Sequence, residues 1–143
     1  MLIRQPRSPL DFQKYYQLRW EVLRKPWNQP EGSEKDDSED TSFHAMAEDG
    51  SGACVGVARL QRISETEGQV RFMGVRDDQQ GKGVGKSLMQ FIEDEARRSG
   101  MKKLMLQARE NAVPFYRSIG YTVTEKTFRL WDIIQHYKME KSI

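Results

Sequence analysis

One segment narrows the fold more than any other. The strand-like run QVRFMGV, residues 69–75, leads through the glycine-rich stretch QQGKGVGKSL, residues 79–88, into a helical repeat, and the strand-like run KKLMLQA follows at residues 102–108. Val84, Leu88, Phe91, Ile92, Glu95 and Ala96 recur at helical spacing, and Gly100 fits a helix C-terminus. A strand, a helix and a second strand in that order predict a parallel pair joined by a helical crossover.

The flanking segments extend this unit. Leu2–Gln5 reads as a short strand ended by Pro6 and Pro9, and Leu10, Tyr15, Leu18, Val22 and Leu23 mark a helix closed by Pro26. FHAMAE (43–48), ACVGVARLQRI (53–63) and QVRFMGV form a meander around turns at Asp49–Gly52 and Glu65–Gly68. Asn111 is placed to cap a short helix through Ile119, ended by Gly120, and residues 121–140 hold two further strand-like runs. No repeat or linker divides the chain, so residues 1–143 read as one α/β domain.

The glycine stretch follows a strand and opens a helix, which suits it to hold phosphate through free backbone N–H groups and the helix dipole. Which phosphate is a matter of spacing. A nucleotide P-loop would use Gly85-Lys86-Ser87 as its end but needs glycine where Gln80 stands. The dinucleotide pattern G-x-G-x-x-G meets Lys86 or Leu88 where its last glycine belongs. Gln80-x-x-Gly83-x-Gly85 fits without a gap. A plain strand-to-helix turn with surface lysines is the competing reading.

That third pattern resembles the acyl-CoA pyrophosphate loop of the GCN5-related N-acetyltransferases. The later stretch LQARENAVPFYRSIGYTV, residues 106–123, resembles the second signature of the same family at Asn111, Ala112, Phe115, Tyr116, Gly120 and Tyr121. The front helix resembles that of an ElaA-like branch. The resemblance covers roughly residues 42–139, with both motifs in family order. It implies the acyl-CoA N-acyltransferase fold, a mixed, mostly antiparallel twisted sheet of six to seven strands flanked by about four helices. It implies acetyl-CoA as cofactor, with a small-molecule or peptide amine as acceptor, and it leaves a homodimer as an open expectation.

The resemblance assigns residues as well. Gln80, Gly81, Lys82, Gly83, Val84, Gly85 and Lys86 would hold the diphosphate. Pantetheine would lie along the backbone of Met73 and Val75, where the two parallel strands splay. A bulge near Phe72-Met73 would free an N–H for the thioester carbonyl, and Gly74 suits a close ligand approach. Asn111 would contact pantetheine or serve only as the helix cap. Tyr116 would protonate the departing thiolate, although its helical spacing with Ala112, Phe115 and Ile119 suits a core residue equally.

A general base is harder to find, because QVRFMGV carries no glutamate. His44, acting through a water, is the leading candidate against a structural reading. Glu21 and His136 are weaker, and His136 reads as solvent-exposed. Arg59 and Arg71 sit in strands, either paired internally or lining the acceptor pocket. Trp20 and Trp27 are candidate pocket walls, with helix core the stronger reading for Trp20. Residues 31–40 carry six acids and one lysine. They read as a solvated loop, with attraction of a cationic acceptor as the alternative.

Other classes are disfavoured. Net charge is +2, with 37% hydrophobic and 31% charged residues, which describes a globular chain with no electrostatic case for nucleic acid. No apolar run suits a membrane span or a signal peptide. Cys54 is the lone cysteine, no metal-ligand spacing occurs, and a cytoplasmic location is expected. An acyl-CoA-binding module without catalysis is the alternative function, and a nucleotide hydrolase is a distant third.

Overall fold

The computed structural model describes residues 1–143. Its strands are β1 (Leu2–Arg4), β2 (Phe43–Glu48), β3 (Cys54–Arg62), β4 (Glu67–Val75), β5 (Lys103–Arg109), β6 (Thr122–Leu130) and β7 (Ile134–Ser142). They form one sheet in the order β1-β2-β3-β4-β5-β7-β6, in which only β4 and β5 run parallel. The helices are α1 (Pro9–Leu23), α2 (Val84–Arg98) and α3 (Val113–Ser118). There are thus three α-helices rather than four. Residues 28–42 hold no apolar residue to drive a helical face, and the connection from α1 to β2 makes tight turns and short 3₁₀ segments, at Lys25–Trp27 and Glu39–Thr41, without an α-helix.

Local chemistry fixes each helix. The Ser8 hydroxyl accepts the Asp11 N–H at 3.0 Å, the Asp11 carboxylate accepts the Ser8 N–H at 3.4 Å, and Pro9 occupies the first turn of α1. Arg4 ties this corner together, reaching Asp11 at 2.7 Å and Glu48 at 2.6 Å. Along α2, Val84, Leu88, Ile92 and Ala96 are buried, and they pack with Val55, Leu60, Val70, Leu104 and Leu106. Buried Glu93 accepts hydrogen bonds from the Tyr121 hydroxyl at 3.0 Å and Lys141 at 2.8 Å, which joins α2 to the C-terminal part of the sheet.

Helix α1 covers the other face, where Tyr15 and Leu18 pack on Met46, Cys54 and Val57. Cys54 is 8% exposed, and burial pushes its thiol up to about 11. Gly74 serves this packing. A Cβ there would stand 3.1 Å from Val22 Cγ1, so its missing side chain admits α1 and not, as expected, a ligand. Nor does Asn111 cap the short helix. A 3₁₀ turn at Glu110–Ala112 precedes α3, Ala112 takes the cap position, and no side chain caps it. Pro114 in the first turn is the stronger local signal.

Candidate active site

The parallel pair is short. It runs from Glu67 opposite Lys103 to Val70 opposite Leu106, and β4 then leaves β5. The departure coincides with a bulge. Arg59 of β3 faces Arg71, while Val57 faces Gly74, so β4 has one residue more than β3 between these points. Phe72 takes φ +54° within that bulge, a conformation unusual for a bulky side chain. Its ring is held by arginines, with guanidinium carbons 4.5 Å (Arg19), 4.8 Å (Arg71), 4.9 Å (Arg59) and 5.7 Å (Arg24) from its centroid.

The acidic segment supplies the counter-charge. Arg19 and Arg59 are both fully buried. Glu39 Oε2 accepts from Arg19 Nη1 and Arg59 Nη1, each at 2.9 Å, and from the Asp36 N–H at 3.0 Å. Asp36 grips Arg59 through both oxygens, at 2.6 and 2.9 Å, and reaches Arg71 at 3.1 Å. Arg59 in turn holds the Asp36 carboxyl down to about 2. The segment is therefore not the solvated loop that its composition suggests. Two of its six acids neutralise arginines beneath the bulge and are not free to attract a cationic acceptor.

His44 belongs to the same network. Its Nε2 lies 2.8 Å from the Glu39 carbonyl, which can only accept, so this nitrogen carries the proton. Its Nδ1 faces the Tyr15 hydroxyl at 2.9 Å. Both ring nitrogens are thus occupied inside the protein, and burial lowers the pKa. His44 borders a different depression, with Phe12, Tyr16 and Asp40, and does not reach the splayed strands. Glu21 is bound to Gln17 on the exposed side of α1.

A cleft of about 290 Å³ opens where β4 and β5 part. Met73, Ala112 and Tyr116 line it, together with Arg24, Arg71, Arg109, Gln69, Gln107, Phe128 and His136. Tyr116 is 7% exposed, and its burial raises the phenol well above its usual range, with Arg109 pulling it partly back. It therefore stays protonated at neutral pH. His136, whose strand parity suggests solvent exposure, is buried and stacked on Phe128 at 4.4 Å. Its Nδ1 lies 3.0 Å from the Ile134 carbonyl and must donate, which leaves the lone pair on Nε2. Burial first, then Arg109 and Arg24, lowers its pKa, so the ring is neutral near pH 7. Register explains why parity alone missed it. His136 pairs with Arg109, at the end of β5 where the cleft opens.

The glycine loop lies at the start of α2. Gly81 and Gly83 have φ +75° and +84°, with open space where a side chain would stand. No N–H from Gly81 to Lys86 donates to a group of the chain; the first to do so is Ser87, to the Gly83 carbonyl at 3.0 Å. Six successive amides are thus available at the positive end of a helix, with Lys82 and Lys86 exposed beside them. Gln80 acts on the loop itself, donating to the Val75 carbonyl at 3.2 Å and to Asp77 at 3.4 Å. Gly85 packs against Met73 and Phe115, whose side-chain atoms lie 2.9 and 3.1 Å from its Cβ position. Met73 lines the cleft, whereas Val75 and exposed Asn111 stand outside it.

A splayed parallel pair with an amide cradle at one side and a buried phenol at its apex is the frame of an acyl-CoA-dependent acyltransferase. The chain belongs to the acetyltransferase (GNAT) family, whose profile matches residues 12–121. It is 32% identical over 126 residues to YjcF, an uncharacterized N-acetyltransferase of Bacillus subtilis (strain 168), covering 88% of this chain and 89% of the relative. Similar solved folds include an aminoglycoside 6'-N-acetyltransferase complexed with coenzyme A (TM-score 0.82, 15% identity, 99% of this chain and 97% of that one). ElaA of Escherichia coli is another (TM-score 0.83, 18% identity, the same coverage). The chain is an acetyl-CoA-dependent N-acetyltransferase of this fold. No helix is long and apolar enough to cross a membrane.

Proposed function

We propose that the chain acetylates a primary amine by direct attack within the β4–β5 cleft, with His136 as general base and Tyr116 as general acid. The carrying observation is that one cleft holds a neutral imidazole with a free Nε2 and a protonated phenol. The free amides of Gly81–Lys86 fit a diphosphate, and Met73 borders the path from them to the cleft. Acetyl-CoA supplies the activated acyl group as a thioester. His136 Nε2 removes a proton from the amine, directly or through a water. The Tyr116 hydroxyl, which has no hydrogen-bond partner in the chain, is free to donate to the departing sulfur. The cationic walls depress the pKa of an entering ammonium and so favour the free amine that attacks.

Thiol release over a panel of primary amines tests this. His136→Asn and Tyr116→Phe should each lower kcat by roughly 10²–10⁴-fold, while acetyl-CoA still raises the melting temperature of both. Tight acetyl-CoA binding with no turnover on any amine by the wild type would instead establish a binding module.

A further inference from the structure

The cleft is unusual in its charge. Its walls contain Arg24, Arg71 and Arg109 and no carboxylate. Arg71 shares Asp36 with Arg59, but no acid lies within 4.0 Å of Arg24 or Arg109. These two converge on one oxygen. Arg24 Nη1 and Arg109 Nη2 each stand 3.1 Å from the Leu23 carbonyl, at the negative end of α1. Arg24 spends one more donor on the Ser33 carbonyl at 3.1 Å. Of the five N–H donors on each guanidinium, most remain unclaimed.

Their surroundings hold them in place. The Arg24 guanidinium carbon lies 5.4 Å from the Trp131 ring and that of Arg109 lies 6.0 Å from the Trp27 ring, and the two indoles are 6.3 Å apart. Trp131 reaches this position because Trp131 and Asp132 both take positive φ in the β6–β7 turn. Two half-buried cations without a counter-ion repel each other and forgo hydration, a cost that a bound oxyanion would offset through charge-assisted, forked hydrogen bonds. The same cations repel an acceptor that carries only an ammonium group. An acceptor with its own anion removes that penalty and is oriented by it.

We infer that the acceptor is an amine bearing an oxyanion, a carboxylate or a phosphate ester, held by the Arg24–Arg109 pair beside the indoles of Trp27 and Trp131. This deepens the acetyl-transfer reading and rests on it only for the amine. The test therefore reads binding separately from turnover. With the protein saturated with coenzyme A, thermal shifts and competition titrations compare alanine with alaninamide and O-phosphoethanolamine with ethanolamine. The charged member of at least one pair should bind on the order of 10- to 100-fold more tightly, and which pair responds distinguishes carboxylate from phosphate. Raised salt should weaken that preference. Arg24→Gln and Arg109→Gln, made separately, should each reduce it to a few-fold while leaving the shift caused by coenzyme A intact. Neutral members binding as well as charged ones, or discrimination surviving in both folded variants, overturns the inference. Absence of thiol release with any amine would count against acetyl transfer alone.

Discussion

Replacing Glu39 with glutamine tests whether the acidic segment is structural. One oxygen of Glu39 accepts from Arg19, Arg59 and the Asp36 amide, all within 3.0 Å. The Glu39 side chain is 10% exposed, and both arginine side chains are 0% exposed. Glutamine keeps the shape and one acceptor but removes the charge, so that Asp36 is left as the lone carboxylate against Arg19, Arg59 and Arg71. Breaking a buried, hydrogen-bonded ion pair from one side costs about 3–5 kcal/mol, a large part of the roughly 5–15 kcal/mol that holds a domain folded. With a urea slope of about 2 kcal/mol per molar, the midpoint should fall by roughly 1.5–2.5 M. Urea titrations followed by tryptophan fluorescence, at low and high salt, measure it. The effect should persist in high salt, because buried pairs are little screened. A midpoint within about 0.5 M of wild type at unchanged slope, or a loss that salt abolishes, would refute the argument and return the segment to a solvated strap.

Two further outcomes are expected. Gly83→Val forces a branched side chain into φ +84° where space is open; it should cost about 1–2 kcal/mol of stability and abolish stabilisation by acetyl-CoA. An undiminished shift would remove the amide cradle from the mechanism. Stability should also fall in two steps on acidification. His44 and His136 have folded pKa values below the unfolded 6.5, so their contribution is complete above that pH and is lost as pH drops through the folded values. The contribution of Asp36 is complete above 3.8 and disappears as pH approaches about 2. Urea midpoints that stay flat from pH 7 to pH 4 would contradict the first step.

Much of the frame was legible because it rests on local rules. The glycine spacing located the cradle and the crossover together, and the meander followed from alternation and turn residues. The bulge at Phe72-Met73 was anticipated through family likeness, but its support was not. Holding Phe72 at positive φ takes arginines from α1, β3 and β4 and acids from residues 36–39, a coincidence that only folding creates. For the same reason composition misread the acidic segment, since exposed and buried acids look alike in a sequence. Strand parity put His136 toward solvent, but the register with Arg109 brought it to the cleft. His44 looks more promising in the sequence because neither of its partners shows there: Tyr15 comes from α1, and the Glu39 carbonyl reaches the ring only through the 3₁₀ turn that precedes β2.

The buried Cys54 has a consequence for the enzyme's working life. Each acetyl transfer liberates a thiol, and wherever an external oxidant converts that thiol to its disulfide, a protein thiolate could attack it. Attack or capture at Cys54 would need an accessible thiolate, and burial that pushes its pKa up to about 11 denies both conditions. The catalyst is thereby insulated from the redox chemistry of its own product. Thiol-trapping dyes should accordingly count turnovers with almost no contribution from the folded protein, and a rise in that background should report unfolding.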